Sequence, residues 1–250
     1  MAGSEAHSGH DVPGAPRPGA LRGECLWSAA DYAWEFLRRN PDYCAEFLRC
    51  AASATDALDP RWGLRFPADP TRPAEAAEVF WRAEIAPGVV IPLEADHAGP
   101  GGALPRLKPV GPPRRGKDGL HLRMSGGLQL LLRGDARPQG PLVVVLAFDR
   151  EFGLRVRAVQ TLQRTARGEA APRSRLTDAQ RTRLDRSLRA LDGSLKRESY
   201  RGIARALFGE AAVQRESWKT SSLRGVTIRL VRSGRDLMEG GYLRLLRGGL

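Results

Sequence analysis

The sequence predicts an α+β protein: a small aromatic-rich N-terminal domain, a linker, then a short β-sheet leading into a mostly helical region. Three observations carry that prediction. Ten of the sixteen aromatic residues fall within 25–95. A stretch with six glycines and five prolines spans 96–119. Beyond it, short apolar runs give way after Asp149 to apolar stripes at helical spacing.

Residues 1–24 are rich in Gly, Pro, Ala and Ser, with His7 and His10 scattered among them. They read as a mobile tail rather than a secretory signal, because no apolar segment is present. No metal role is assigned to the two histidines. A domain over 25–95 follows. Residues 28–40 have helical spacing, with Tyr32 and Phe36 four apart and Pro41 closing the helix. A second helix after Pro41 carries Tyr43, Phe47 and Cys50. DPRWGLRFPADP is turn-rich, while EVFWRAEI and GVVIPLEA suggest one or two short strands. The aromatic residues of this region are expected to pack on one another, in preference to forming a stacking surface for bases or a partner.

The linker 96–119 contains GPPRRGKD, which has the letters of a phosphate loop. Asp118 replaces the metal-binding hydroxyl residue, two prolines remove backbone donors, and no apolar strand leads in. The match is therefore rejected. The domain over 120–250 opens with LHLRM and LQLLLR joined by Ser125-Gly126-Gly127, a hairpin pattern. PLVVVLAF reads as a buried strand. Asp149 is expected to cap a helix to about Arg167, with Phe152, Val156, Val159 and Leu162 inward.

Thr177 and Gln180 form a capping box opening a helix with Leu184, Leu188 and Leu191 on one face. Asp192-Gly193 is expected to stop it. ESYRGIARALFG gives a short helix with Ile203, Ala204 and Leu207 inward and Gly209 as its exit. After the connector EAAVQRES, a helix in WKTSSLRGVTIRLVRSG groups Leu223, Val226, Thr227 and Leu230 on one side. Its other side carries Ser221, Gly225, Ile228, Arg229 and Arg232, flanked by Arg224. A closing helix supplies Leu237, Met238, Tyr242 and Leu245 for packing.

Charge favours an anionic partner for this last region. The chain has 40 basic and 28 acidic residues, and thirty-six of the former are arginine. From Arg173 to the C-terminus there are eighteen basic and eight acidic residues, so nearly the whole surplus sits in the last third. Codon bias would enrich arginine evenly; the skew is the informative part. A short helix, a turn and a second helix with an Arg- and Ser-rich face suit a helix-turn-helix entering the major groove. The alternative is an ordinary solvated face on a helical bundle. The connector is longer than a standard turn. Trp218 is read as a wedge fixing the helix entrance or as a DNA-backbone contact.

The strings LAFDREFGLRVRAVQTLQR, RLTDAQRTRLDRSLRALDG, SYRGIARALFG and ESWKTSSLRGVTIRLVRSGRDLMEGGYLRLLR resemble the C-terminal domain of transcriptional regulators of proteobacterial integrative and conjugative elements. DYAWEFLRRNPDY, DPRWGLRF and VFWRAEIAPGVV are similar to the partner domain that precedes it in two-domain activators of that family. The resemblance implies an extended helix-turn-helix and an activator of excision and transfer genes. Stand-alone copies of the C-terminal domain act in that family as anti-activators. The intact basic face and the joined domains favour the activator role.

The expected contacts to promoter double-stranded DNA are Thr220, Ser221, Arg224, Arg229 and Arg232, with Lys219, Arg201 and Arg205 on phosphates. RNA polymerase or an anti-activator protein are further partners the resemblance suggests. The rival expectation is a protein-interaction module using exposed apolar residues such as Ile228 and Leu246. No enzyme is expected: HExxH, GxSxG, CxxC and GxGxxG are missing, and Asp135, Asp149 and Glu151 lack a further ligand. His121 alternates with Leu120 and Leu122 and is read as solvent-facing. No cofactor is implied. With Cys25, Cys44 and Cys50 forming no CxxC pair, and no long apolar run, a cytoplasmic location is expected.

Overall fold

The first helix of the chain, α1 (Ala29–Leu37), is enclosed on nearly every side, which its composition requires: seven of its nine residues are buried. Ser28 opens it through a reciprocal capping box with Asp31. Pro41 does more than close α1. It is the first residue of α2 (Pro41–Ala52), where a missing N–H costs nothing, and Asn40 caps that helix by accepting from Asp42 N at 2.9 Å and Tyr43 N at 3.2 Å. The computed structural model describes residues 27–53, 55, 57–96, 108–169 and 176–249. The expected tail with His7 and His10, Cys25, and residues 97–107 of the expected linker lie outside them.

The fold is α+β, with a five-stranded sheet between the N-terminal helices and a mostly helical C-terminal region. The strands are β1 (Val90–Ala95), β2 (Arg114–Gly116), β3 (Gly119–Arg123), β4 (Gln129–Leu132) and β5 (Leu142–Val144), in the order β2-β3-β4-β1-β5. β1 and β4 are parallel; the other pairs are antiparallel. The β3–β4 hairpin forms as expected around Ser125–Gly127. β4 is buried along its whole length, as a continuous apolar run in a central strand should be. One side of the sheet packs on α3 (Phe152–Ala166) through Ile91, Leu93, Leu130, Leu132, Ala158 and Leu162.

The sheet draws strands from both sides of the expected 95/120 boundary. β1 is paired with β4 and β5, and residues expected to be linker form β2. Val110 N donates to Arg123 O at 2.7 Å, and Gly116 and Gly119 frame the β2–β3 turn. Gly119 has φ +140°, and a Cβ there would lie 2.1 Å from Leu132 O, so the turn demands glycine.

Three further expectations are corrected. PLVVVLAF contributes only the short edge strand β5; Val145 is 54% and Phe148 90% exposed, because nothing among the described residues pairs beyond β5. Asp149 lies ahead of α3 rather than capping it: its carboxylate accepts from Glu151 N and pairs with Arg155. His121 is buried, not solvent-facing. It stands edge-on to Phe66 and Phe80, with ring centroids 5.2 and 6.1 Å away, and its Nε2 is 3.1 Å from Asp118 Oδ1. Burial pulls the imidazole below its ordinary pKa despite the opposing pull of Asp118.

The C-terminal helices are α4 (Asp178–Leu195), α5 (Tyr200–Phe208), α6 (Glu210–Gln214), α7 (Ser222–Asp236) and α8 (Tyr242–Leu246). A π-turn, Leu237–Gly241, joins the last two. The capping box of Thr177 and Gln180 is present. α4 does not stop at Asp192-Gly193 but runs to Leu195. Gly193 is there for packing: a Cβ would come within 2.8 Å of Ile203 Cγ1.

The main core joins α1 to this helical region. Tyr32, Trp34, Phe36, Leu184, Leu188, Leu191, Leu237, Met238, Tyr242 and Leu245 belong to one buried cluster. Leu246 is buried in it too, at 2% exposure, which removes it as a docking residue. Polar bonds fix the joint. Tyr32 Oη donates to Asp185 at 2.6 Å, and Arg39 forks onto Asp192 at 2.5 and 3.1 Å. Asp185 and Asp192 lie seven residues apart on α4, about two turns, and face Tyr32 on α1 and Arg39 just past its end. Glu35, 1% exposed, accepts from Arg38 at 2.7 Å and Arg39 at 2.6 Å, and takes Ala74 N at 2.8 Å. Burial opposes the charge on Arg39, but Asp192 and Glu35 outweigh it and hold its pKa above the ordinary value.

Candidate nucleic-acid interface

α7 is presented by a small three-helix unit. Ala190 of α4, Ile203 of α5 and Val231 of α7 share a buried cluster, with Leu207 and Leu230 at its edge. Close approach of α4 and α7 depends on Gly234, where a Cβ would sit 2.6 Å from Ser187 O. α5 is held at its C-terminal end by α4: Arg189 Nη2 donates to Ala206 O at 2.7 Å, and Arg186 lies over the Phe208 ring at 5.7 Å. Gly209, with φ +88°, ends α5. The connector is not irregular throughout, since it contains α6, anchored by buried Val213.

The buried side of α7 is Thr227, Val231 and Gly234, with Leu223, Val226 and Leu230 half-buried beside it. Thr227 satisfies its hydroxyl internally by donating to Leu223 O at 2.7 Å. The opposite side carries exposed Arg229 and Arg232, and exposed Arg224 flanks it. Arg224, Ile228 and Arg232 recur at intervals of four and therefore lie in one row. Ile228 is half-buried, not a free apolar knob. Among the described residues, none of Arg224, Arg229 and Arg232 has an ion-pair partner.

The remaining expected contacts divide. Lys219 and Thr220 are exposed on the turn before α7, where Thr220 Oγ1 donates to Ser217 O at 3.2 Å. Trp218, on the same turn, is half-buried. Ser221 is not free to meet a ligand: it is 8% exposed and caps α7 by accepting from Leu223 N at 3.2 Å. Arg201 is exposed on α5 without an ion-pair partner among the described residues. Arg205, also exposed, pairs with Glu210 at 2.9 Å.

Two residues absent from the expected set stand beside it. Arg183 of α4 and Arg244 of α8 line the same cavity as Arg229 and Arg232. Their sequence signal is faint, because each adjoins an apolar stripe on a different helix and nothing local links them. Arg235, by contrast, is engaged, donating to Ser194 Oγ at 2.9 Å. Among the described residues, no group of three or more His, Cys, Asp or Glu is placed to hold a metal ion, and no helix is long and apolar enough to cross a membrane.

An exposed arginine row on a braced helix, uncompensated among the described residues, is a surface that suits an anionic partner such as nucleic acid. Residues 145–247 match the family described as "T6SS, Transcription factor, DNA binding domain". Residues 26–67 match the family described as "Proteobacterial transcriptional regulator-like domain". The chain thus has the organisation of a two-domain transcriptional regulator with a C-terminal DNA-binding domain. Neither family is enzymatic. No curated protein matches the chain.

Proposed function

We propose that the protein is an activator that binds promoter DNA through α7, controlling excision and transfer genes of a mobile conjugative element in the cytoplasm. The observation that carries the DNA-reading part is the row of Arg224 and Arg232 with Arg229 beside it, exposed and, among the described residues, without carboxylate partners. The likeness of the sequence strings to regulators of integrative and conjugative elements supports the choice of genes.

In this reading α5 and α7 are the two helices of an extended helix-turn-helix, and α6 fills the long connector. Arg232 and Arg229 fork onto guanine O6 and N7 or onto phosphates. Lys219 and Thr220 hold the backbone where the N-terminal end of α7 adds its partial positive charge. Ser221 stays a cap. Arg201 binds phosphate directly, whereas Arg205 must first leave Glu210.

The test is a gel-shift series on promoter DNA. Loss of retardation with Arg224→Ala, Arg229→Ala and Arg232→Ala combined is expected, and indifference to that triple change removes the assignment. A genome-wide footprint tests the target genes: sharp peaks upstream of excision or transfer genes are expected, and a flat profile counts against them.

A second reading, a protein-docking module, draws on the exposed Val145 and Phe148 beside the edge of the sheet. It predicts partner capture that survives high salt, without DNA retardation at low salt.

A further inference from the structure

α4, α7, the π-turn and α8 line an open cavity of about 250 Å³. Four guanidinium groups line it, Arg183, Arg229, Arg232 and Arg244, against one carboxylate, Asp236. None of the five has an ion-pair partner among the described residues. Like charges from three helices around one cavity repel one another, and an anion bound among them relieves that repulsion. A second observation points the same way. Ser187 lines the cavity at 1% exposure, and its Oγ has no hydrogen-bond partner. A buried hydroxyl left unpaired is costly, and a ligand is one way to satisfy it.

We infer that this cavity binds the terminal phosphoryl group of a small ligand, a phosphate monoester or diphosphate. Guanidinium forks match phosphate oxygens two at a time, and Ser187 on the cavity lining has an unpaired hydroxyl as a neutral donor. The volume lies just below the usual range for ligand sites, which suits a phosphoryl group with little attached. Duplex DNA carries the same chemistry, but its phosphates are esterified on both sides and held at the duplex surface. A terminal phosphoryl offers three free oxygens to the four guanidinium groups, where a duplex phosphate offers two. Arg229 and Arg232 also belong to the DNA face, so, resting on that reading, occupancy withdraws two DNA contacts and the ligand competes with DNA.

Inorganic pyrophosphate is the probe, titrated calorimetrically into the DNA-free full chain, with sodium chloride matched in ionic strength as the blank. Saturable one-to-one binding is expected, about tenfold or more weaker in Ser187→Ala and in the surface variant Arg183→Ala, and unchanged in Arg224→Ala, which lies outside the cavity. A flat titration to millimolar pyrophosphate overturns the inference. So does equal weakening by Arg224→Ala, the mark of diffuse attraction to a basic surface. DNA retardation by Ser187→Ala separates the two phosphate sources. Unchanged retardation supports a free ligand, whereas a loss matching that for pyrophosphate makes the cavity a socket for the DNA backbone and overturns the assignment. Because pyrophosphate is measured without DNA, failure of the DNA reading leaves this result standing, and the reverse.

Discussion

Arg39 and Arg232 are the same residue put to opposite uses. Arg39 sits in the joint between α1 and α4, where Asp192 and Glu35 saturate it. Arg232 lies on the open side of α7, and among the described residues no carboxylate answers it. The contrast extends to their regions. Around α1 the charges have their partners and the surface is enclosed; along α7, Arg224, Arg229 and Arg232 are exposed and, among the described residues, uncompensated. Arginine content therefore says little about role. What separates a structural cation from one available to a ligand is whether the fold places an acid within reach, and that pairing is set by helix packing rather than by local sequence.

The largest effect should come from removing the α1 wedge. Trp34→Ala vacates a site only 1% exposed and is expected to cost about 3–5 kcal/mol. The fall in the denaturant midpoint should appear equally in probes of the N-terminal and helical regions, because they share one core. Two separate transitions would break the comparison at its root.

Next comes Glu35→Ala, which strands nearly enclosed Arg38, with a side-chain exposure of 5%, and leaves Arg39, at 9%, with Asp192 as its one remaining carboxylate among the described residues. A loss of about 3 kcal/mol or more is expected in chemical denaturation. Arg232→Ala should do the reverse: melting temperature unchanged, but DNA affinity down by about 1–3 kcal/mol with relaxed sequence preference, read by competition gel shift. Equal stability losses in the two variants would erase the distinction between the regions.

Smaller still is the salt effect. Lys219→Ala or Arg224→Ala is expected to reduce the slope of log affinity against log salt by about one each, whereas a change at paired Arg205 should reduce it less. The finest probe is pH. The folded His121 has a lowered pKa, so the unfolded chain binds more protons below the ordinary histidine value. Stability should therefore decline as pH falls from neutral through that range, and His121→Phe should flatten the decline while retaining the ring packing on Phe66 and Phe80. An unaltered pH profile would count against the enclosed, neutral histidine.

Much of the local architecture is legible in the residues. The Thr177 capping box, the β3–β4 hairpin, the exit at Gly209 and the Leu184, Leu188 and Leu191 stripe all rest on interactions within a few positions. The misses share a cause. Gly193 reads as a breaker until Ile203 is seen to need its missing Cβ. His121 reads as exposed until Phe66 and Phe80 close over it. Leu246 reads as a free apolar residue until the main core reaches it. Ser221 shows the same limit at the candidate interface, where one hydroxyl could cap a helix or meet a base, and only the backbone geometry chooses.

By itself the sequence determined the α+β class, the helices with their caps, the aromatic concentration near the N-terminus and the basic surplus near the C-terminus, because these depend on composition and on neighbours close along the chain. Tertiary structure alone decided that the two ends share a core, that Arg39 is spent on Asp192, and that Arg183 and Arg244 meet Arg229 and Arg232 around buried Ser187. Those outcomes turn on which helix faces come together, and the free energy of that choice is spread over contacts far apart in the chain.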